Sequence, residues 1–121
     1  MICAIDHVQL AMPADSEAAA RAFYGDVLGL AEREKPEALK AKGGCWFERG
    51  GVRVHLGVDR DFRAARKAHP SFVVDDLAAI SHRLGHAGID FEAAEPVDGR
   101  ARIFCADPFG NRIELMAESG L

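Results

Sequence analysis

No apolar run in this sequence approaches the ~20 residues that a bilayer-spanning helix needs; the longest reach only a few residues. A helical membrane span is therefore excluded, and no membrane partner is expected. The opening Met1-Ile2-Cys3-Ala4-Ile5-Asp6 lacks a basic leader and breaks its apolar stretch with a charge, so no secretory signal is expected. Cysteine is scarce: Cys3, Cys45 and Cys105 are widely spaced, odd in number and form no CxxC pair. That argues against a disulfide framework and for a reducing, cytoplasmic setting. An excess of positive charge is lacking too. The formal net charge of −4 gives no general attraction for nucleic acid or anionic membranes. The one basic stretch, Arg60 to Lys67, is interrupted by Asp61 and reads as a solvated linker.

What remains is an ordinary soluble composition in 121 residues, enough for one domain or two very small modules sharing a core. Residues 2–11 read as a strand. Ser16 is placed to cap a helix over 16–28, along which Ala19, Ala22, Phe23 and Val27 recur at helical spacing before Gly29 stops it. Short strands follow at about 30–34, 44–49 and 52–58, the last two joined by Gly50-Gly51 as a hairpin connection. After the 59–68 linker the order repeats. A strand at 69–74 leads to a helix capped by Asp75-Asp76 and carrying Leu77, Ile80, Leu84 and Ala87, ended by Gly88. Strands at about 89–94, 100–106 and 112–117 complete it, with Asp107-Pro108-Phe109-Gly110-Asn111 as a tight turn. The expected fold is thus α+β, β-α-β-β-β twice, with module 1 at 1–58 and module 2 at 69–121. Neither module alone offers enough apolar surface for a stable core.

The repeat pairs certain polar residues. His7 and His69 fall in the first strand of each module, while His55 and Glu114 fall in the last. Strand alternation sets Glu114 opposite Ile113 and Leu115, and His55 opposite Val54 and Leu56, so each sits away from the main apolar stripe. Pseudo-twofold packing would bring the four together. Three imidazoles and a carboxylate suit a divalent Zn, Ni, Fe or Mn ion and offer too few oxygens for Ca. Any one histidine on a strand is usually a half-buried polar residue; four at matched repeat positions are harder to ascribe to chance. His82 and His86 also stand at a chelating i,i+4 spacing, but on the polar side of the second helix with no third donor nearby, and read as surface residues. Trp46, Phe104 and Phe47 are candidate apolar walls of a substrate site, or core.

Three segments carry a resemblance: Asp6-His7-Val8, Phe23-Tyr24-Gly25-Asp26-Val27-Leu28-Gly29-Leu30, and Asp107 through Leu115. Together they resemble the vicinal oxygen chelate superfamily, which includes glyoxalase I, extradiol dioxygenases, fosfomycin-resistance proteins and bleomycin-binding proteins. The resemblance implies paired βαβββ modules in a cup-shaped mixed sheet, commonly as a homodimer, around a metal held at the positions of His7, His55, His69 and Glu114. It further implies a small-molecule substrate bound through two adjacent oxygens, with Glu114 moving the proton in glyoxalase I-like lyase or isomerase chemistry. Extradiol dioxygenation, fosfomycin-type thiol transfer and non-catalytic antibiotic binding are the alternatives. The pattern departs at His55, where glyoxalase I usually has a carboxylate, and at Ala11 and Asp59, where it has residues associated with glutathione. Gln9, a candidate substrate contact, stands where the fosfomycin enzymes place Thr.

Overall fold

The computed structural model describes residues 1–119; residues 120 and 121 of the expected second module lie outside them. The chain divides into two compact units, Met1–Arg63 and Ala64–Leu121, the division falling within the 59–68 stretch.

In the first unit β1 (Val8–Met12) leads to a helical segment, then to β2 (Ala31–Arg33), β3 (Cys45–Arg49) and β4 (Val52–Val58). The sheet order is β1-β4-β3-β2, with β1 parallel to β4 and the other neighbours antiparallel. The second unit repeats this with β5 (Ser71–Val74), α2 (Leu77–His86), β6 (Phe91–Val97), β7 (Arg100–Ala106) and β8 (Arg112–Ala117). Its order is β5-β8-β7-β6, again with one parallel edge pair. Each unit is therefore a βαβββ module forming an open, four-stranded mixed sheet.

The first strand begins later than expected. Val8 pairs with Val54, and β4 itself starts at Val52 directly after the Gly50-Gly51 turn. Residues 2–5 would run past the end of β4 with nothing to pair with in this sheet, and Met1 through His7 are exposed. His7 therefore sits just before β1 rather than within it, and His69 likewise just before β5. Glu114 N–H donates to the carbonyl of Pro70 (3.0 Å), which ties the segment after His69 to β8.

The first helix is α1 (Glu17–Ala20) widening into a π-helical turn over Arg21–Val27. Leu28 N–H reaches Phe23 O, one residue farther back than α-helical bonding allows, and Leu30 N–H closes the end of the helix on Tyr24 O, six residues back. The widened turn shifts the buried stripe. Ala20, Phe23 and Tyr24 face the core, whereas Ala22, expected there, is exposed. The two rings meet edge to face at 4.9 Å, and Tyr24 also reaches the Phe47 ring at 5.8 Å; Met12, Cys45, Val54 and Leu56 are buried in the same unit. Ser16 occupies the cap position, but its hydroxyl donates to Ala14 O instead of capping the helix. In α2 the expected cap is made: Asp76 Oδ1 accepts from Ala79 N–H at 2.9 Å. Gly88, at φ 74°, closes that helix with Ile89 N–H on Leu84 O. Leu84 and Ile80 are buried, together with Ile103, Ile113 and Leu115, each such side chain being worth ~1.5–3 kcal/mol of burial.

The outer strand β6 runs three residues beyond the expected end at 94. Pro96 is accommodated because the strand lies at a sheet edge and carries a register irregularity between Ala94 and Val97. Asp98 (φ 52°) and Gly99 (φ 73°) then form a two-residue hairpin with positive φ at both positions.

Candidate metal centre

Strand register lines up equivalent residues in the two modules. In the first, Gln9, His55 and Trp46 form one row across β1, β4 and β3; in the second, Ser71, Glu114 and Phe104 form the matching row across β5, β8 and β7. Alternation turns Val54 and Leu56, or Ile113 and Leu115, into the core and the row residues to the opposite face.

In the first unit His55 lies between two parallel rings. Trp46 stacks on it at 3.9 Å and 5°, and His7 at 4.1 Å and 19°. Burial, reinforced by the positive charge that His7 would carry, pushes the His55 pKa down and favours the neutral imidazole, the form that ligates metal. His7 Nδ1 faces Asp6 Oδ2 at 3.0 Å. A proton there leaves Nε2 as the lone-pair nitrogen, the usual carboxylate–histidine support of a metal ligand. The His7 hydrogen bond and then the Arg53 guanidinium hold the Asp6 carboxyl below its ordinary value. Arg53 also contacts Glu48 at 3.3 Å, so one guanidinium bridges two carboxylates beside the stack. Gln9 extends over Gly57, where a Cβ would lie only 2.5 Å from its amide nitrogen. Gln9, Asp59 and Arg60 border a shallow recess of about 630 Å³ at the end of β1 and β4.

In the second unit His69 Nε2 lies 3.0 Å from Glu114 Oε1, and its Nδ1 lies 2.9 Å from the carbonyl of Lys67. Both ring nitrogens thus face acceptors. One proton on Nδ1 satisfies the carbonyl, and a cation at Nε2, a proton or a metal ion, satisfies the carboxylate. Glu114 is only 5% exposed, and its second oxygen lies 3.6 Å from Arg102 Nη1. Phe104 meets the His69 ring edge to face at 5.0 Å.

Within each unit two of the four expected ligands are therefore together, His7 with His55 and His69 with Glu114. Among the described residues no group of three or more His, Cys, Asp or Glu gathers as a metal cluster. The donor set, imidazoles backed by oxygen acceptors plus a buried carboxylate, fits a divalent transition metal. Phe47, weighed as a wall, is 1% exposed against Tyr24 and belongs to the core. His82 and His86 are exposed on α2. Burial raises the Cys45 and Cys105 thiols to about 11, so neither is a thiolate nucleophile near neutral pH. Sequence reasoning assigned no role to three participants: Asp6 and the Lys67 carbonyl, which orient histidines, and Arg102, which reaches Glu114. The acidic residue beside His7 was the one available clue.

Two βαβββ modules, one presenting the row with His55 and the other the row with Glu114 on the face away from its core, define a two-module protein with a candidate metal centre. Residues 4–115 match the family model described as the Glyoxalase/Bleomycin resistance protein/Dioxygenase superfamily, and the chain belongs to that superfamily. A glyoxalase family protein from Bacillus anthracis is 43% identical over 98% of both chains, with a TM-score of 0.93. The fosfomycin resistance protein FosX from Listeria monocytogenes is 15% identical over 98% of this chain and 96% of its own, with a TM-score of 0.78. Lactoylglutathione lyase from Agrobacterium tumefaciens is 24% identical over 92% of both chains, with a TM-score of 0.66. At those identities the last two share the fold alone. No curated protein matches the sequence.

Proposed function

We propose that this chain is a divalent-metal-dependent enzyme that binds a small substrate through two adjacent oxygens and carries out glyoxalase I-like lyase or isomerase chemistry. The observation that carries the reading is the buried Glu114 carboxylate against His69, whose other nitrogen is tied to the Lys67 carbonyl. The stacked His7–His55 pair occupies the equivalent positions of the other module. These four residues would hold a Zn, Ni, Fe or Mn ion, which supplies Lewis-acid polarisation of the substrate oxygens.

Glu114 is the residue assigned to proton transfer, taking a proton from a carbon beside a carbonyl and returning it to the neighbouring carbon. Arg102 and His69 hold its two oxygens in place. Gln9, Trp46 and Phe104 would border the substrate, Trp46 also fixing the His55 ring by stacking. Free thiols at Cys3, Cys45 and Cys105 suit a reducing cytoplasm. A homodimer is the assembly favoured by the family, and no helix among the described residues is long and apolar enough to cross a membrane.

Metal titration of the purified protein is the direct test. Uptake of one ion per chain is expected, weakened in His55→Ala and unchanged in His82→Ala. A folded protein that takes up none of Zn, Ni, Mn and Fe would sink the reading. Isomerisation of the hemithioacetal of methylglyoxal with glutathione or a simpler thiol then tests the reaction.

A further inference from the structure

The face that carries Glu114 also carries arginines whose arrangement is not explained by holding a metal. Register puts Arg102, Phe104, Arg112 and Glu114 on the same side of the β7–β8 pair. The Arg112 guanidinium carbon lies 4.0 Å from the centre of the Phe104 ring, and that of Arg102 lies 5.3 Å from it. Arg102 is already engaged: its Nε donates to Glu95 O at 2.7 Å and its Nη1 faces Glu114. Arg112 differs. Its guanidinium makes no ion pair or hydrogen bond among the described residues, although the residue is half-buried.

Stacking on an aromatic face orients a guanidinium while leaving its planar fork of N–H donors open for two-point contact with an oxyanion. The chain as a whole is acidic, at −4, whereas this face of the second sheet sets Arg100, Arg102 and Arg112 against Glu114 and, on β6, Glu92. A guanidinium with open donors beside an aromatic face favours a small anion.

We propose that Arg112, backed by Phe104 and flanked by Arg102, binds an oxyanion, and that the substrate therefore carries a carboxylate, phosphonate or phosphate group. As a statement about substrate this rests on the functional reading above; as a statement about anion binding it stands apart and is measured without metal.

The experiment is a titration of metal-free, full-length protein with sodium methylphosphonate and, separately, sodium acetate, at ionic strength matched with sodium chloride. The arginine Nε–H signals are followed by NMR in the wild type, in Arg112→Gln and in Arg66→Gln, an exposed arginine outside the site. Saturable shifts of the Arg112 and Arg102 signals are expected, with affinity reduced at least tenfold in Arg112→Gln and unchanged in Arg66→Gln. The stronger of the two anions identifies the acid class. No saturable shift with either anion in the wild type, or equal affinity in wild type and Arg112→Gln, overturns the proposal. The backbone spectrum recorded alongside reports folding. Zinc uptake by the same samples reads the metal proposal independently, so either can fail alone.

Discussion

At the residue scale, each candidate histidine is held by a different device. His7 leans on Asp6, His69 on the Lys67 carbonyl, and His55 on the rings either side of it. Replacing Asp6 with Asn removes the charged orienting partner of His7, and metal affinity is expected to fall about 10- to 100-fold without change in fold. A chelator-competition titration measures it; unchanged affinity would show that Asp6 only balances Arg53. The His55 environment also sets a pH dependence. Its pKa is lowered in the folded state, so below the ordinary histidine value of about 6.5 the unfolded chain takes up that proton first. The stability contributed by neutral His55 is complete above that value and is lost as pH falls toward the depressed folded value. His55→Phe should flatten the slope of metal-free stability over that window in urea unfolding at a series of pH values. Gly57 matters for space alone: Gly57→Val would push the Gln9 amide off its present course.

At the scale of elements, the turn between β7 and β8 sets where Glu114 stands. Asp107 is buried, and its Oδ1 accepts from the N–H groups of Phe109 and Asn111, while Oδ2 accepts from the Asn111 side chain. This network fixes Ala106 against Arg112 and hence Phe104 against Glu114. Asp107→Ala leaves three donors without their acceptor and is expected to cost roughly 2–4 kcal/mol in chemical denaturation. Much of this organisation was legible in the sequence. Alternation in Arg112–Met116 and Val52–Leu56 placed Glu114 and His55 off the core face, and Asp76 announced its cap. The misses have local causes. The N-terminal apolar residues read as strand because their lack of a partner depends on where β4 begins. The strand expected to end at 94 runs on through Pro96, because a bulge at a sheet edge leaves no mark in sequence distinct from a break. Ala22 was assigned to the core because regular helical spacing does not foresee a π turn. Arg112 could not be singled out, since its pairing with Phe104 exists only once β7 and β8 are in register.

At the scale of the whole molecule, duplication is the organising fact, because each module supplies two of the four candidate ligands. The same repeat made the set visible in sequence, where the four residues otherwise lie up to 107 positions apart. If the active form is a homodimer, its thermal midpoint should rise with protein concentration, and sedimentation should show a species of twice the chain mass. A midpoint independent of concentration, with a single species of chain mass, would remove the dimer.

The bulge at Pro96 has a consequence for shelf life rather than for chemistry. A straight β6 would offer a row of open N–H and C=O groups, flanked by exposed Phe91 and Val97, on which another molecule's strand could grow. Proline removes one donor from that row, and the irregularity spoils its spacing. Pro96→Thr should leave the fold intact but make concentrated solutions turn cloudy sooner on warm storage.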